Sequence, residues 1–427
     1  MIPCPYWENE MNRRPRPSNR MPNRPPRRQP ASAAEPTAAP SRVPSSWTWF
    51  MDEALPNWVK NRYAPQESWK GKPFNEEDAR FFIKGIRELS DLFTDERPRR
   101  LPAYLNHPKY RSSYLLYWLP LQSAKFCSLF DEHRAALEAA LEHGMKTGTM
   151  RLLDLGSGPG TASLALLLTL LDPKTKKEAI PPKIEITLVD QNASILQDGK
   201  QLLEIVASHF PKLKDRVEVR TVAQDWAQFA ARDWQGESSL VLFGHVLNEG
   251  LMTVSGEAAK PDLRKFANLF QGLAGGGILL VEPASKTSSQ LVSRLRDAWI
   301  GEGLVEEKPE SIWGPCLHAG RCPLALGKDW CHFSIPVKLP SKWFTYFSKG
   351  LSTEREWLKF SYLWIASRTN PARPLPRNVR RVISDPLRAK TPRLPDLVLL
   401  CEPETSARYP LPKGKRLWRG DLIELKK

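Results

Sequence analysis

Long apolar runs are absent from this sequence of 427 residues, and cysteine is scarce, with six residues in all. The longest mostly apolar segment, Ala162–Leu171, has the length of a buried helix and is too short to cross a bilayer. The N-terminus also lacks the continuous apolar segment of a secretory signal. We therefore predict no membrane span and no secreted disulfide scaffold, and we expect a reducing compartment in which clustered thiols indicate metal binding.

The net charge of +16 is concentrated at the two ends of the chain. Residues 1–46 carry eight arginines and three glutamates, and residues 370–427 carry fourteen basic and six acidic residues, so the part between them is close to neutral. Basic ends on a nearly neutral body predict a polyanionic partner, and we favour RNA. The alternative is that the basic residues only keep the protein soluble. The candidates for phosphate contacts are Arg377, Arg380, Arg381, Arg388 and Arg393.

Composition and periodicity divide the chain into four parts. Residues 1–46 contain eleven prolines and few large apolar residues, so we predict a disordered tail. Residues 47–148 have apolar residues at helical spacing and are predicted to form a helical domain. Residues 149–303 alternate short apolar strands with helical stretches, which predicts a parallel sheet with helices on both faces. Residues 304–427 combine a cysteine-rich loop with short strands in a basic, β-rich extension.

The most specific motif follows the first predicted strand of the α/β part. It is the sequence DLGSGPGT, in which three glycines allow the backbone to turn sharply and to approach a ligand closely. Backbone N–H groups at the start of the following helix favour a carboxylate or a phosphate. The spacing G-x-G-x-G differs from the G-x-G-x-x-G of dinucleotide-binding folds. The candidate ligand-binding residues of this loop are Asp154, Gly156, Ser157, Gly158 and Gly160.

This loop resembles motif I of the class I S-adenosylmethionine-dependent methyltransferases, in which the glycines contact the methionine part of the cofactor. The resemblance implies a Rossmann-like α/β fold with a seven-stranded sheet. It also implies that an acid at the end of the second strand, Asp190, holds the ribose hydroxyls of S-adenosylmethionine. Asp225 and Trp226, after the third strand, are the matching candidates for the adenine contact.

The segment after the fourth predicted strand, HVLNEG, lacks the Asn/Asp-Pro-Pro-aromatic motif of amino-methylating members. Two interpretations of His245, Asn248 and Glu249 are compatible with the sequence: they contact cofactor or substrate, or they cap the strand end. We include His245 among the cofactor-binding candidates and assign no catalytic residue. The sequence therefore supports binding of S-adenosylmethionine better than it supports methyl transfer.

Half of the cysteines, Cys316, Cys322 and Cys331, lie within sixteen residues. Their spacing, C-x5-C-x8-C, lacks the C-x2-C pair of a zinc ribbon, and a fourth ligand has to come from elsewhere. The candidates for it are His318, His332 and Cys401. Four thiolates on irregular loop spacings suit a [4Fe–4S] cluster, and zinc bound by three cysteines and one histidine is the alternative.

The glycine loop, the segment HVLNE and the segment PCLHAGRCPLALGKDWCHF, in that order, resemble the methyltransferase-like small-ribosomal-subunit family. That family comprises mitochondrial small-subunit assembly factors and their bacterial relatives, and the resemblance covers roughly residues 75–427. It implies a helical N-terminal part, a class I methyltransferase domain and a C-terminal extension. It further implies that a [4Fe–4S] cluster is held by Cys316, Cys322, Cys331 and Cys401.

The resemblance implies a small-subunit assembly or translation factor that binds rRNA and ribosomal proteins and contains S-adenosylmethionine and a structural [4Fe–4S] cluster. The cluster would join the cysteine loop to the strand near Cys401. Two alternatives are compatible with the same motifs: an active S-adenosylmethionine-dependent rRNA methyltransferase and a zinc-stabilised small-molecule methyltransferase. We expect a monomer without membrane contact, in the bacterial cytoplasm or the mitochondrial matrix.

Overall fold

A computed structural model of the protein describes most of the chain after residue 42. The ranges are 43–94, 104–234, 236–247, 275–301, 312–318, 320–351, 356–366, 378–389, 395–411 and 417–425, together with residues 269, 273 and 391. Almost all of the predicted tail lies outside these ranges, as do four residues predicted to contact ligand or RNA. These four are Asn248, Glu249, Arg377 and Arg393.

Most of the described residues that precede the first strand are helical, as the apolar spacing predicts. Among the described residues, the α-helices are α1 (Ser45–Trp49), α2 (Leu55–Tyr63), α3 (Glu76–Thr94), α4 (Pro108–Ser113), α5 (Leu119–Glu132), α6 (Arg134–Thr147), α7 (Thr161–Leu170), α8 (Ala193–His209), α9 (Trp226–Arg232), α10 (Lys286–Gly301) and α11 (Lys342–Lys349). None of them is long and apolar enough to cross a membrane.

A π-helical turn, Tyr114–Trp118, connects α4 to α5. Pro120 follows it within the first two positions of α5. Proline is tolerated at the start of a helix because the N–H group that it lacks has no partner there. The wider π-helical turn thus lets the chain pass through a proline without ending the helical segment.

A mostly parallel sheet forms the centre of the fold. The described strands are β1 (Thr149–Leu155), β2 (Lys183–Asp190), β3 (Val217–Ala223), β4 (Leu240–Gly244), β5 (Gly277–Pro283), β6 (Ile312–Gly314), β7 (Phe333–Pro336), β8 (Trp357–Ala366), β9 (Val379–Arg381), β10 (Leu397–Glu402), β11 (Thr405–Pro410) and β12 (Leu422–Glu424). The order in the large sheet is β3-β2-β1-β4-β5-β8-β6, with β7 also paired to β8. Strands β1 to β5 run parallel, and β8 is antiparallel to β5.

The predicted α/β fold is confirmed, and the sheet has one strand more than the seven predicted. The additional strand exists because β8 is ten residues long and two short strands share its outer edge. One half of β8 pairs with β6, and the other half pairs with β7. Strand β7 begins directly after the cysteine loop, so this pairing attaches the loop to the sheet.

The N-terminal helices pack against one face of the sheet and against the C-terminal part of the chain. The indole N–H of Trp47 donates to Oγ of Ser123 at 2.9 Å, and Oγ of Ser46 donates to the carbonyl of Leu168 in α7 at 2.8 Å. Oγ of Ser341, at the start of α11, donates to the carboxylate of Asp52 at 2.7 Å. One hydrophobic core therefore includes the N-terminal helices, this face of the sheet and α11.

The C-terminal extension consists of two short antiparallel strand pairs, β10–β11 and β9–β12. An isolated bridge between Val382 and Leu400 joins them, and these two residues form a small core with Val398. Because this core is small, the extension depends on additional contacts to hold its position on the rest of the fold.

Candidate functional site

The glycine loop lies between β1 and α7, and its glycines adopt left-handed backbone conformations. φ is +62° at Gly156 and +51° at Gly158. A Cβ on Gly156 would lie 2.4 Å from Cγ2 of Val246, whereas a Cβ on Gly158 would meet no atom within 4 Å. Gly156 is therefore required for packing against the segment after β4, and Gly158 faces open space.

A pocket with a cavity volume of about 50 Å³ opens beside this loop. Five of the predicted cofactor-binding residues line it: Asp154, Gly156, Ser157, Gly158 and His245. Three more lining residues come from the N-terminal helical part and were not predicted: Tyr114, Gln122 and Phe126. This volume is well below the range for small-molecule sites.

Asp190 supports the glycine loop from the end of β2. Its carboxylate accepts from the backbone N–H of Gly158 at 3.0 Å and from that of Asn192 at 2.9 Å. Burial raises the pKa of Asp190, and these backbone hydrogen bonds lower it in part. Asp190 does not line the pocket, but it holds the backbone of Gly158, which does.

The remaining predicted cofactor residues have structural partners away from the pocket. Asp225 caps α9 by accepting from the N–H groups of Ala227 and Gln228, both at 3.0 Å. Trp226 is buried and packs edge-on against Phe243, with ring centroids 5.4 Å apart. Gly160 has a φ of +68° and precedes the first residue of α7. The adenine contact of Asp225 and Trp226 stays a prediction.

His245 lies where β4 ends, in a left-handed conformation with φ of +63°. Its Nε2 lies 2.7 Å from Oε1 of Gln122 in α5. Burial lowers the pKa of His245 well below its ordinary value, and the charge of Lys125 lowers it further. The next two backbone N–H groups both donate to Oε1 of Glu282, at 3.0 and 2.9 Å, which holds this segment in place.

Asp154 is buried at the end of β1, where its Oδ2 accepts from the N–H of Ser163 at 3.1 Å and from its hydroxyl at 2.7 Å. Burial raises the pKa of Asp154 to about 7, although the two hydrogen bonds lower it. The carboxyl group therefore anchors the start of α7 to β1 and changes its charge near neutral pH.

Asp154 is expected to make stability fall as pH rises. Its pKa is about 3.9 in an unfolded chain and about 7 in the folded protein. The folded state binds more protons between these values, so this stabilisation is complete below about pH 4 and is lost as pH rises through 7. Urea unfolding of Asp154→Asn should lack this decrease, which amounts to at most about 4 kcal/mol. Parallel pH profiles of the two proteins would contradict the assignment.

The four predicted ligands lie in the cysteine loop and on β10, and three of them have a raised pKa. Burial raises the pKa of Cys331, and the charges of Cys316, Cys322 and Cys401 raise it further. Burial also raises the pKa of Cys401, with contributions from Cys316 and Cys322, and that of Cys322 to about 11. Nε2 of His318 lies 3.3 Å from Sγ of Cys401. Their role as ligands stays a prediction.

The chemistry of the four thiols, rather than their arrangement, suits a thiolate-bound metal group. Burial and neighbouring thiolate charge raise the pKa of Cys322, Cys331 and Cys401, and a bound cation would stabilise these thiols as thiolates because it offsets both effects. Among the described residues, no group of three His, Cys, Asp or Glu side chains has the arrangement of a site for a metal ion. Cys127 is separate from this site and lies buried in α5, with Sγ 3.7 Å from the carbonyl of Ala165.

The predicted RNA-contacting arginines are not equivalent in the structure. Arg388 is exposed. Arg380 is partly buried and pairs with Glu402 at 3.3 Å. The prediction that Arg381 contacts phosphate is wrong, because Arg381 is buried and pairs with Glu132 at 3.1 Å.

Comparison with solved structures gives methyltransferases of low similarity. A protein of Pyrococcus horikoshii assigned as an RNA methyltransferase has 11% identity and a TM-score of 0.28, over 56% of this chain and 84% of that one. The C-terminal domain of precorrin-6Y C5,15-methyltransferase from Rhodobacter capsulatus has 15% identity and a TM-score of 0.26, over 51% and 80%. An O-methyltransferase family protein from Burkholderia thailandensis has 13% identity and a TM-score of 0.27, over 52% of this chain and 57% of that one.

Similarities at this level do not bear on activity. No curated protein matches the chain. One family model, described as mitochondrial small ribosomal subunit Rsm22, matches residues 115–411. This range is more than half of the chain. It includes the cysteine loop, the strand with Cys401 and every pocket-lining residue except Tyr114. The resemblance drawn from the motifs is thereby confirmed, and the chain belongs to the Rsm22 family.

Proposed function

We propose that this protein is a methyltransferase-like factor of the small ribosomal subunit that binds rRNA, holds S-adenosylmethionine beside the glycine loop and carries a [4Fe–4S] cluster on four cysteines. The observation that carries the proposal is the family match, which extends over both candidate sites. The basic composition of the C-terminal part supports an RNA partner.

The glycine-loop pocket supports binding of S-adenosylmethionine. Gly158 leaves open space where any other residue would have a Cβ, and Asp190 fixes its backbone. The start of α7 follows directly and presents backbone N–H groups suited to a carboxylate. When bound, S-adenosylmethionine supplies an activated methyl group. In this chain, Asp154, Ser157 and Gly158 would hold it.

The end of β4 supports a binding role over methyl transfer. Nε2 of His245 is in hydrogen-bond contact with Gln122, and Phe126 approaches Gly244 so closely that a Cβ there would lie 3.2 Å from its ring. Side chains of α5 thus cover the strand end after which amino-methylating enzymes carry their catalytic motif. An active rRNA methyltransferase is the second candidate, because the same pocket would serve it.

Four thiols support the [4Fe–4S] cluster, since they come from one loop and one distant strand and influence one another electrostatically. A cluster that bridges Cys331 and Cys401 would attach the small core of the C-terminal extension to the sheet. Zinc is the alternative, and His318 is its candidate histidine ligand because its ring lies beside Cys401.

RNA binding is expected to weaken when exposed arginines of the extension are replaced. Arg388 and Arg408 are exposed, and the double variant Arg388→Gln/Arg408→Gln should reduce the slope of log affinity against log salt by about two. The measurement is filter binding of small-subunit rRNA over a range of salt concentrations. The matched control is Lys146→Gln, which removes an exposed charge from α6 and should leave the slope unchanged.

An unchanged slope in the double variant would contradict this surface as the RNA contact. Adding methyl-labelled S-adenosylmethionine to the same wild-type samples separates the two candidate functions. If the RNA binds but gains no labelled methyl group, the result supports a ribosomal factor without methyl transfer. If the RNA becomes labelled, the result supports an active rRNA methyltransferase.

A further inference from the structure

Three arginines with largely buried side chains lie near the cysteines, and each comes from a different segment of the chain. They are Arg296 in α10, Arg381 in β9 and Arg419 before β12, with side chains 2%, 6% and 12% exposed. Three guanidinium groups at this depth are unusual, because burial of a charge is costly unless other charges compensate for it.

Arg296 holds the first part of the cysteine loop. Its guanidinium donates to the carbonyl groups of His318 and Gly320. The ring of the same His318 lies 3.3 Å from Sγ of Cys401. The neighbouring Asp297 accepts from the backbone N–H of Cys322 at 3.0 Å. The end of α10 therefore contacts the backbone of Cys322 directly. It also contacts His318, whose ring lies beside Cys401.

Arg381 lies across from Cys401. The antiparallel bridge between Val382 and Leu400 makes Arg381 and Cys401 the next opposed pair, and opposed side chains lie on the same face of a sheet. Arg381 also donates to the carbonyl of Gly420 at 2.9 Å. Its guanidinium lies 5.7 Å from the ring centroid of Phe333, two residues after Cys331.

Arg419 is fixed to the same bridge from the C-terminal side, because its guanidinium donates to the carbonyl of Ile383. The backbone around it is paired as well: Gly420 donates to the carbonyl of Val382 at 2.9 Å. Residues 381–383 and 419–420 thus form one hydrogen-bonded unit that carries two of the three arginines.

Carboxylates compensate for these charges only in part. The partners are Asp297 at 2.6 Å from Arg296, Glu132 at 3.1 Å from Arg381 and the exposed Asp385 at 3.8 Å from Arg419. Within the described residues, Nε of each arginine has no hydrogen-bond partner. Burial opposes the charged form of all three arginines. The pKa of Arg296 and that of Arg381 are nevertheless raised, because neighbouring negative charges that include Cys316 outweigh burial. Burial lowers the pKa of Arg419, against contributions from Asp385 and Cys331.

We propose that Arg296, Arg381 and Arg419 form a positively charged shell that compensates for the negative charge of the thiolate-bound cluster and sets its reduction potential. The inference rests on the proposed function, because it requires the cluster. A [4Fe–4S] group with four thiolates is an anion, and one-electron reduction adds a further negative charge. Buried positive charges stabilise the reduced form more than the oxidised form and raise the potential.

The test is a dithionite titration of the anaerobically purified full chain, followed by electron paramagnetic resonance, with iron content measured on the same samples. Arg296→Gln and Arg381→Gln are expected to lower the one-electron reduction constant about tenfold each, which is a shift of about 59 mV to more negative potential. Arg296→Lys keeps the charge and should shift the potential less than Arg296→Gln. The control Arg408→Gln removes an exposed charge from β11 and should leave the potential at the wild-type value.

A second outcome would also support the shell: the Gln variants lose iron and Arg296→Lys retains it. Lysine keeps the positive charge at position 296, whereas glutamine removes it. Bound iron with equal potentials in all variants would overturn the shell and leave the cluster in place. Wild-type protein that contains zinc or no metal would overturn the cluster of the proposed function, and the shell with it.

Discussion

Replacing Cys401 by serine is expected to reduce bound iron at least about tenfold, because loss of a direct ligand weakens a metal site at least as much as loss of an outer partner. Cys401 is the one predicted ligand outside the loop, and it lies on the strand β10 that joins the two parts of the C-terminal extension. The measurement is iron and sulfide content with absorbance near about 400 nm after anaerobic purification.

The same variant is expected to loosen the extension, since binding energy at a metal site is also folding energy. Hydrogen exchange in residues 378–389 and 395–411 should accelerate, while exchange in β1 and β2 stays at the wild-type rate. Cys127→Ser is the matched control, because Cys127 is a buried thiol in α5 outside the predicted ligand set, and the variant should keep full iron content. Full iron content in Cys401→Ser would remove this residue from the ligand set.

The order of elements and the glycine loop could be predicted from the sequence because both depend on local patterns. A strand, a glycine turn and a helix follow one another within residues 149–170, and short buried strands read as continuous apolar runs. The eighth strand could not be predicted, because β7 is four residues long and exists only through its pairing with one half of β8.

The lining of the pocket shows the same limit of local patterns. Gln122 and Phe126 lie in a helix whose apolar residues predict burial, but the sequence does not specify the surface that buries them. Trp226 follows a strand end, a position equally compatible with ligand contact and with core packing, and in the structure it packs on Phe243.

The sequence also does not show whether a charged side chain is exposed or buried. Arg380 and Arg381 are adjacent, and the pattern predicts an RNA contact for both. In the strand β9 successive side chains point to opposite faces, so one arginine pairs with Glu402 and the other is buried across from Cys401. The partner surface of each face is set by residues far away in the chain.

Gly158→Arg is expected to abolish binding of S-adenosylmethionine while the fold is retained. The Cβ at this position would enter open space, so the long side chain can extend into the pocket without displacing the core. The left-handed φ of +51° adds a strain of about 1 kcal/mol. Isothermal titration should show at least about a hundredfold loss of affinity, and S-adenosylmethionine should no longer raise the melting temperature.

The neighbouring glycine provides a matched contrast. Gly156→Ala places a Cβ 2.4 Å from Cγ2 of Val246, so this much smaller substitution should destabilise the fold by about 1–3 kcal/mol from overpacking in addition to the backbone strain. Without ligand, the melting temperature of Gly156→Ala should fall clearly below that of the wild type. The melting temperature of Gly158→Arg should fall only by the small amount that the backbone strain accounts for. If S-adenosylmethionine raised the melting temperature of Gly158→Arg as much as that of the wild type, this pocket would be excluded as the cofactor site.

Iron content in the same preparations tests whether the two sites are independent. The glycine loop contacts the segment after β4, and the cysteine loop is attached through β7, β8 and α10, so neither site supplies a residue to the other. Gly158→Arg should therefore retain its iron, and Cys401→Ser should retain its thermal response to S-adenosylmethionine. Loss of both ligands from either variant would mean that the pocket and the cysteine site are coupled through the fold.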